Sequence, residues 1–438
     1  TREAHHRLYD HLKQSASERP DTLQDMMPLY HAIAHGCQAG LHQEALDQIY
    51  YDRIKRGDES FSLHKLGAMG TDLSALSSFF ASPWSKLLGN LPTYDQGIVI
   101  GETAYCLGEL GRLAEAKQPM HRALEIWIEN KLWENAARQT RNLSELYLML
   151  GNISAAVRVA EQSVELADRS DDVFERLTNR TKIADALHRS AHGDESLVAF
   201  REAEAIQKEQ YPHYPLLCSL RGFLYCDLLL DTGQSAAISN VRNRAEKMFE
   251  WRVSSDSLLV IGLEHLTLGR TYLLEALLKA GIPSRSACAN GSSEMELAEH
   301  HLNESLSFLR QAGHQGYLPC GLLARAAFAR VQERFDDAEH DLAEAEAIAE
   351  RGSMLLWQID AAIERCRLHV AQGDRKAARE SLERAKQLIQ QTEKPYQPHE
   401  PDWPDWEPPS YVNIFKPGEI VGYHRRNPDI DELEAALF

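Results

Sequence analysis

The sequence predicts an all-α chain, wound as a right-handed superhelical solenoid of stacked helical hairpins with a period of about 40 residues. Three observations predict it. First, a turn phrase returns at near-constant spacing, as Leu110-Gly111-Arg112-Leu113-Ala114-Glu115-Ala116 and as Leu150-Gly151-Asn152-Ile153-Ser154-Ala155-Ala156. Weaker copies centre on Ala191 and Gly233, and late ones on Glu333 and Gly373. Positions 111, 151 and 191 step by 40 residues, the next step is 42, and 333 to 373 is again 40. Second, the segments between carry apolar residues every three or four positions, as in Leu143, Leu146, Tyr147 and Leu150, the spacing of an amphipathic helix. Third, β-branched alternation is nearly absent, so strands are expected only near the C-terminus. A fixed period of this size means supersecondary units that bury their apolar faces only against their neighbours.

Three regions are expected. Residues 1–97 form an N-terminal helical region with an early hairpin, 29–39 against 43–56, turning at Gly40. An irregular helical connection follows across 57–97, where Gly57, Gly67, Gly70, Pro83, Gly89 and Pro92 break the periodicity. Residues 98–392 form the repeat array, with pairs at 98–128, 134–168, 174–208, 215–250, 257–312, 317–350 and 355–392. In each turn a Gly, or an Asn or Asp beside it, suits the left-handed position that ends a helix. The small residues Ala116, Ala156 and Ala378 then let the second helix approach the first. The fifth pair is broken by an exposed loop insertion at 281–295, beginning Gly281-Ile282-Pro283-Ser284. Residues 393–438 depart from the pattern: Pro395 to Pro417 holds seven of the 17 prolines, with Trp403 and Trp406. Proline this dense favours extended chain, and a short helix at 428–437 closes the sequence.

Composition narrows the function. Lys plus Arg 47 against Asp plus Glu 65 leaves a net charge of −18, which repels phosphate backbones and disfavours nucleic acid as a partner. No apolar run nears the roughly 20 residues that cross a bilayer, so no membrane partner is expected. The polar start Thr1-Arg2-Glu3-Ala4-His5-His6 is not a signal peptide, and its lack of an initiator Met suggests a fragment of a longer chain. Seven scattered cysteines fit reduced thiols and a cytoplasmic protein.

Catalytic signatures are missing. His31/His35 and His188/His192 have i, i+4 spacing, but neither pair carries the Glu of a His-Glu-x-x-His site or a nearby third ligand, and His192 falls in a turn. His35-Gly36-Cys37 reads as packing. There is no Cys-x-x-Cys, no Gly-x-Ser-x-Gly and no Gly-x-Gly-x-x-Gly. No catalytic residue, metal or cofactor is therefore expected. Polar residues on the first helix of each pair are instead the candidate ligand-binding groove: Asn142, Glu145, Arg180, Asp185, Arg221, Asp227, His265, Arg270 and Arg325. Such residues can pair with a peptide's backbone and charges; the competing reading is interhelical bonding that holds the repeats in register. The expected partner is a protein or peptide ligand, and the alternative role is a structural scaffold or oligomerisation module.

The phrase Gly-x-x-x-Glu-Ala resembles tetratricopeptide repeats, at a period longer than their usual 34. Asn142-Leu143-Ser144-Glu145-Leu146, Ala184-Asp185-Ala186-Leu187-His188, His265-Leu266-Thr267-Leu268-Gly269-Arg270 and Gly422-Tyr423-His424-Arg425-Arg426 resemble the C-terminal repeat region of bacterial STAND (NACHT-like) NTPases. That resemblance implies a ligand-sensing arm behind a fused upstream NTPase. The chain itself holds no Gly-x-x-x-x-Gly-Lys-Ser/Thr loop, so it would be the sensing portion.

Overall fold

The computed structural model describes residues 1–252, 256–280, 292–403 and 405–437. They form twenty α-helices and two minimal hairpins of strand, falling into two compact units. One comprises Thr1–Leu132, Ser255–Leu259 and Phe308–Gly316; the other Trp133–Ser254, Val260–Ser307 and Tyr317–Phe438.

The first unit opens with α1 (Arg2–Ser15) and α2 (Leu23–Ala39), the latter ended by Gly40 at φ +81°. The short α3 (His42–Glu44) runs into a π-helical stretch, Ala45–Lys55. Then come α4 (Phe61–His64) and α5 (Met69–Ser77). Strands β1 (Phe80–Ser82) and β2 (Lys86–Leu87) pair antiparallel, where the sequence led us to expect only irregular helix. Two or three residues of ladder are too few to show alternation, and the turn depends on Trp84 at φ +57°. The hairpin α6 (Thr93–Glu109) and α7 (Leu113–Glu129) completes the unit. Asp72 is fully buried and accepts hydrogen bonds from Tyr30 Oη (2.6 Å), Ser62 Oγ (2.8 Å) and Tyr50 Oη (3.4 Å). Burial pushes its carboxyl up to about 6, against the pull of those donors.

The second unit is the repeat array. Its hairpins are α8 (Trp133–Met149) with α9 (Ile153–Ser170), α10 (Val173–Arg189) with α11 (Gly193–Gln210), and α12 (Ser219–Asp231) with α13 (Ser235–Glu250). They continue as α14 (Leu258–Lys279) with α15 (Ser293–Ala312), α16 (Leu318–Val331) with α17 (Phe335–Arg351), and α18 (Leu355–Ala371) with α19 (Arg375–Thr392). The start of α14 and the end of α15 fall within the residue ranges of the first unit. Of the expected loop at 281–295, residues 281–291 lie outside the described residues, and α15 has begun by Ser293.

Each turn closes as the phrase requires. Gly151 sits at φ +74°, its amide donating to Leu148 O (2.8 Å) and that of Asn152 to Tyr147 O (2.9 Å), which satisfies the carbonyls a helix end leaves open. In the weaker copies Ala191 (φ +70°) and Glu333 (φ +59°) take the same conformation at a steric cost. Within hairpins the same two positions are joined, with donor and acceptor exchanged: Ser144 Oγ donates to Ala156 O (2.9 Å), and forty residues on Ser196 Oγ donates back to Ala184 O (2.7 Å). Leu143, Leu146, Ala156, Val157, Ala160 and Val164 make the first seam, and Leu177, Ile183, Leu187, Ala199 and Phe200 continue it. Helices pack mainly on their sequence neighbours, with α10 against both α8 and α9 and α17 against α18. In addition α18 meets α8, where a Cβ on Gly151 would come within 2.6 Å of Leu355.

The proline-rich segment runs back over this same unit. Strands β3 (Lys394–Pro395) and β4 (Ile420–Val421) pair antiparallel, near the C-terminus as the sequence suggested. A single 3₁₀ turn, His424–Arg426, leads into α20 (Asn427–Leu437), which packs on α18 and α19.

Candidate functional site

Along α10, Phe174, Thr178, Lys182, Asp185 and Arg189 recur every three or four residues, so they form one stripe. Facing it on α8 are Arg141 and Glu145. Glu145 accepts from Lys182 Nζ (3.3 Å) and from Tyr317 Oη (2.8 Å), and Phe223 of α12 lies edge-on to Tyr317. Asp185 is held by Arg189 Nε (3.0 Å) and Lys182 Nζ (3.7 Å). On α12, Asp227 accepts from Arg270 Nη1 of α14 (2.8 Å) and lies 3.5 Å from Arg189 Nη2. Charged groups of α8, α10, α12 and α14 thus converge on one inner face.

The chain's own C-terminal segment occupies one end of that face. Arg425 Nη1 donates to Asp227 Oδ2 (2.7 Å) and its Nε to Asp231, which also meets His188 Nε2 at 3.1 Å. Arg426 grips Asp360 of α18 bidentately through Nε (2.8 Å) and Nη2 (2.9 Å), and Tyr423 Oη adds a third bond at 3.0 Å. Burial alone would raise these acids. The guanidinium of Arg425, helped by Arg270 and Arg189, instead holds Asp227 well below the usual carboxylate range, and Arg426 lowers Asp360.

The rest of the segment covers a stripe on α9. Tyr396 Oη donates to Glu161 Oε2 (2.6 Å), His399 Nε2 meets Glu165 Oε2 (2.7 Å), and Trp406 Nε1 donates to Asp168 Oδ2 (3.0 Å). Tyr411 Oη reaches Glu202 Oε2 on α11 (2.8 Å). Glu161, Glu165 and Asp168 sit at i, i+4 and i+7 on one face of α9, and Glu161 and Glu165 are buried.

The nine groove candidates fall into two sets. Glu145, Asp185, Arg221, Asp227 and Arg270 belong to the inner face, with Asn142 half-buried beside Glu145. Three others lie between helices. Arg180 joins Asp168 (2.7 Å) to Glu202 (2.7 Å). His265 Nδ1 meets His301 Nδ1 at 2.9 Å. Arg325 forks onto Asp341 (2.7 Å to each oxygen) and reaches Asn303 (3.0 Å), lining a cavity of about 270 Å³. Lys182, Arg189, Asp231 and Asp360 went unnamed from sequence, and Tyr423-His424-Arg425-Arg426 was quoted only for a resemblance and not as part of a site. The signal for the four helical residues was three- and four-residue spacing along a first helix, which solvated helices share; the C-terminal arginines had none.

No group of three or more metal-ligating side chains occurs among the described residues. His35 pairs with His5 (3.0 Å) instead of with His31. The thiol of Cys37 is pushed up to about 12 by burial, so His35-Gly36-Cys37 holds no activated nucleophile. No described helix is long and apolar enough to cross a membrane.

Fold and inner face together define an all-α array of tetratricopeptide-like hairpins. No family model matches the sequence, and no curated protein matches it. Two solved structures resemble it in fold. One is a Rap protein complexed with competence and sporulation factor, at 12% identity and a TM-score of 0.51, covering 83% of this chain and 88% of that one. The other is the Rap conjugation gene regulator of plasmid pLS20 in complex with the Phr* peptide, at 13% identity and a TM-score of 0.53, covering 83% and 93%.

Proposed function

We propose that this chain is a non-catalytic, peptide-binding repeat protein, its ligand lying along the part of the inner face that the C-terminal segment leaves open. The observation that carries this reading is the stripe on α10. Its C-terminal half, Asp185 and Arg189, is linked to the docked tail, while at the other end Phe174 remains 46% exposed. Between them lie Glu145, Lys182, Phe223 and Tyr317, a mixed polar and aromatic floor suited to a peptide's backbone and side chains. The likeness in fold to a regulator solved with a peptide supports it. The further role of sensing arm in a larger NTPase rests on the sequence phrases quoted above and is proposed on that footing.

The test is affinity selection of random hexapeptides on the immobilised full chain, with retained species measured by calorimetry. Peptides that bind, and lose binding in Lys182→Met and Tyr317→Phe variants, support the reading. Retention of none at millimolar concentration refutes it.

A further inference from the structure

Arg221, half-buried, stands apart from the other buried and half-buried arginines of the repeat unit. Arg180, Arg189, Arg270, Arg330 and Arg425 each form at least one ion pair with a carboxylate. Arg221 forms none among the described residues. Its Nη1 donates to the Thr178 hydroxyl (3.2 Å), its guanidinium lies 5.0 Å over the Phe174 ring, and its buried Nε has no partner among the described residues. The Cys218 thiol is its other polar neighbour. Burial lowers its pKa, and the nearby Arg141 charge lowers it further.

The isolation is not for want of acids in a chain of net charge −18. Its neighbour Arg141 is already paired: Glu175 accepts from Arg138 Nε (3.3 Å), Arg141 Nη1 (2.5 Å) and Asn179 Nδ2 (3.1 Å). Arg138 and Arg141 share that one buried carboxylate, and Arg221 stands near Arg141 without a carboxylate of its own. A buried donor left without an acceptor is costly, and a guanidinium is shaped to take a carboxylate on two parallel donors. Beside it Phe174 and Tyr211 expose large apolar area, 46% and 42%.

We infer that Arg221, seconded by Arg141, is the anchor for the free C-terminal carboxylate of the peptide, with the last side chain apolar and resting on Phe174. A terminal residue is the unit that offers a carboxylate and an apolar group from a single Cα, which matches a cation and an exposed ring 5.0 Å apart. The opposite end of the face is closed by Tyr423, Arg425 and Arg426, so the ligand is short and ends at Arg221. This rests on the peptide-binding reading and adds the chemistry and polarity of the ligand.

The experiment uses two hexapeptide pools, each with five random positions and a C-terminal leucine, one as free acids and one as C-terminal amides. Both are passed over the immobilised full chain, and retained material is quantified by mass spectrometry. The expected result is at least tenfold enrichment of acid over amide, abolished in Arg221→Met and partly kept in Arg221→Lys. Without peptide, Arg221→Met melts at or above the temperature of the parent, since it removes a cation with no counter-ion and a buried unpartnered Nε; a fall of several degrees would mark a structural arginine and overturn the anchor. Equal retention of acids and amides overturns the anchor while leaving peptide binding intact. Retention of neither pool removes both.

Discussion

Replacing Arg425 by Met tests whether the C-terminal segment is an integral part of the repeat unit. Its side chain is 3% exposed and bonds Asp227 and Asp231 at once. A hydrogen bond to a charged group is worth about 1.5–3 kcal/mol, so two give roughly 3–6 kcal/mol. The acids are not wholly orphaned: Asp227 keeps Arg270 at 2.8 Å and Arg189 at 3.5 Å, and Asp231 keeps His188 at 3.1 Å. That places the loss near the lower end, about 3–4 kcal/mol, within the range for breaking a buried pair by removing one partner. In a unit of this size it corresponds to a melting point lower by about 6–12 °C. Urea denaturation followed by tryptophan fluorescence measures the change, and Trp406, bonded to Asp168, reports on the segment itself. Limited proteolysis gives a second reading, because the extended chain between β3 and β4 becomes cleavable once its anchor is gone. A loss below about 1 kcal/mol, with the segment still resistant, would refute the reasoning.

Three further outcomes follow from local geometry. Ala191→Gly should stabilise the chain by about 0.5–1 kcal/mol in urea denaturation, because exposed Ala191 holds φ +70° and glycine does so without strain; a loss would contradict this. Gly97→Ala should destabilise by about 1–3 kcal/mol despite alanine's better helix propensity, since its Cβ would fall 2.3 Å from the buried Trp127 ring. An unchanged thermal midpoint would count against it. For pH, burial first and mutual repulsion second depress His265 to about 3, while burial and then the His300 charge depress His301 to about 4. Depressed histidines are neutral in the folded state, so their contribution is full above the ordinary value near 6.5 and declines as pH falls toward 4. Stability measured between pH 7 and 4 should therefore slope less in a His301→Gln variant, and an identical slope would exclude the pair as its source.

Much of the architecture was legible because the turn chemistry is local. Gly111, Gly151, Gly233 and Gly373 all take the left-handed conformation the phrase requires, and helix ends such as 133 and 170 lie within two residues of expectation. The π-helical stretch Ala45–Lys55 has no counterpart in the pattern, since apolar spacing of three and four is common to both helix types. The site was legible only in part. Asp227, Arg270 and Asp185 sit on first helices at the repeat's own spacing and could be named. What neutralises them could not, because Arg425 lies 198 residues from Asp227 in sequence. The prolines of 395–417 announced extended chain correctly, and Trp403 and Trp406 pointed to docking on a partner or back onto the solenoid, but the acids Glu161, Asp168 and Glu202 that the segment covers could not be named. Long-range docking leaves no periodicity to read.

The most direct measurement is hydrogen–deuterium exchange on the full chain with and without a peptide recovered by selection. Occupancy of the open inner face predicts added protection in the first halves of α10 and α12 and in the 141–145 turn of α8, with 394–426 unchanged. Protection confined to the outer helices α9, α11 and α13, or deprotection of 394–426 on binding, would contradict a ligand lying beside the docked segment.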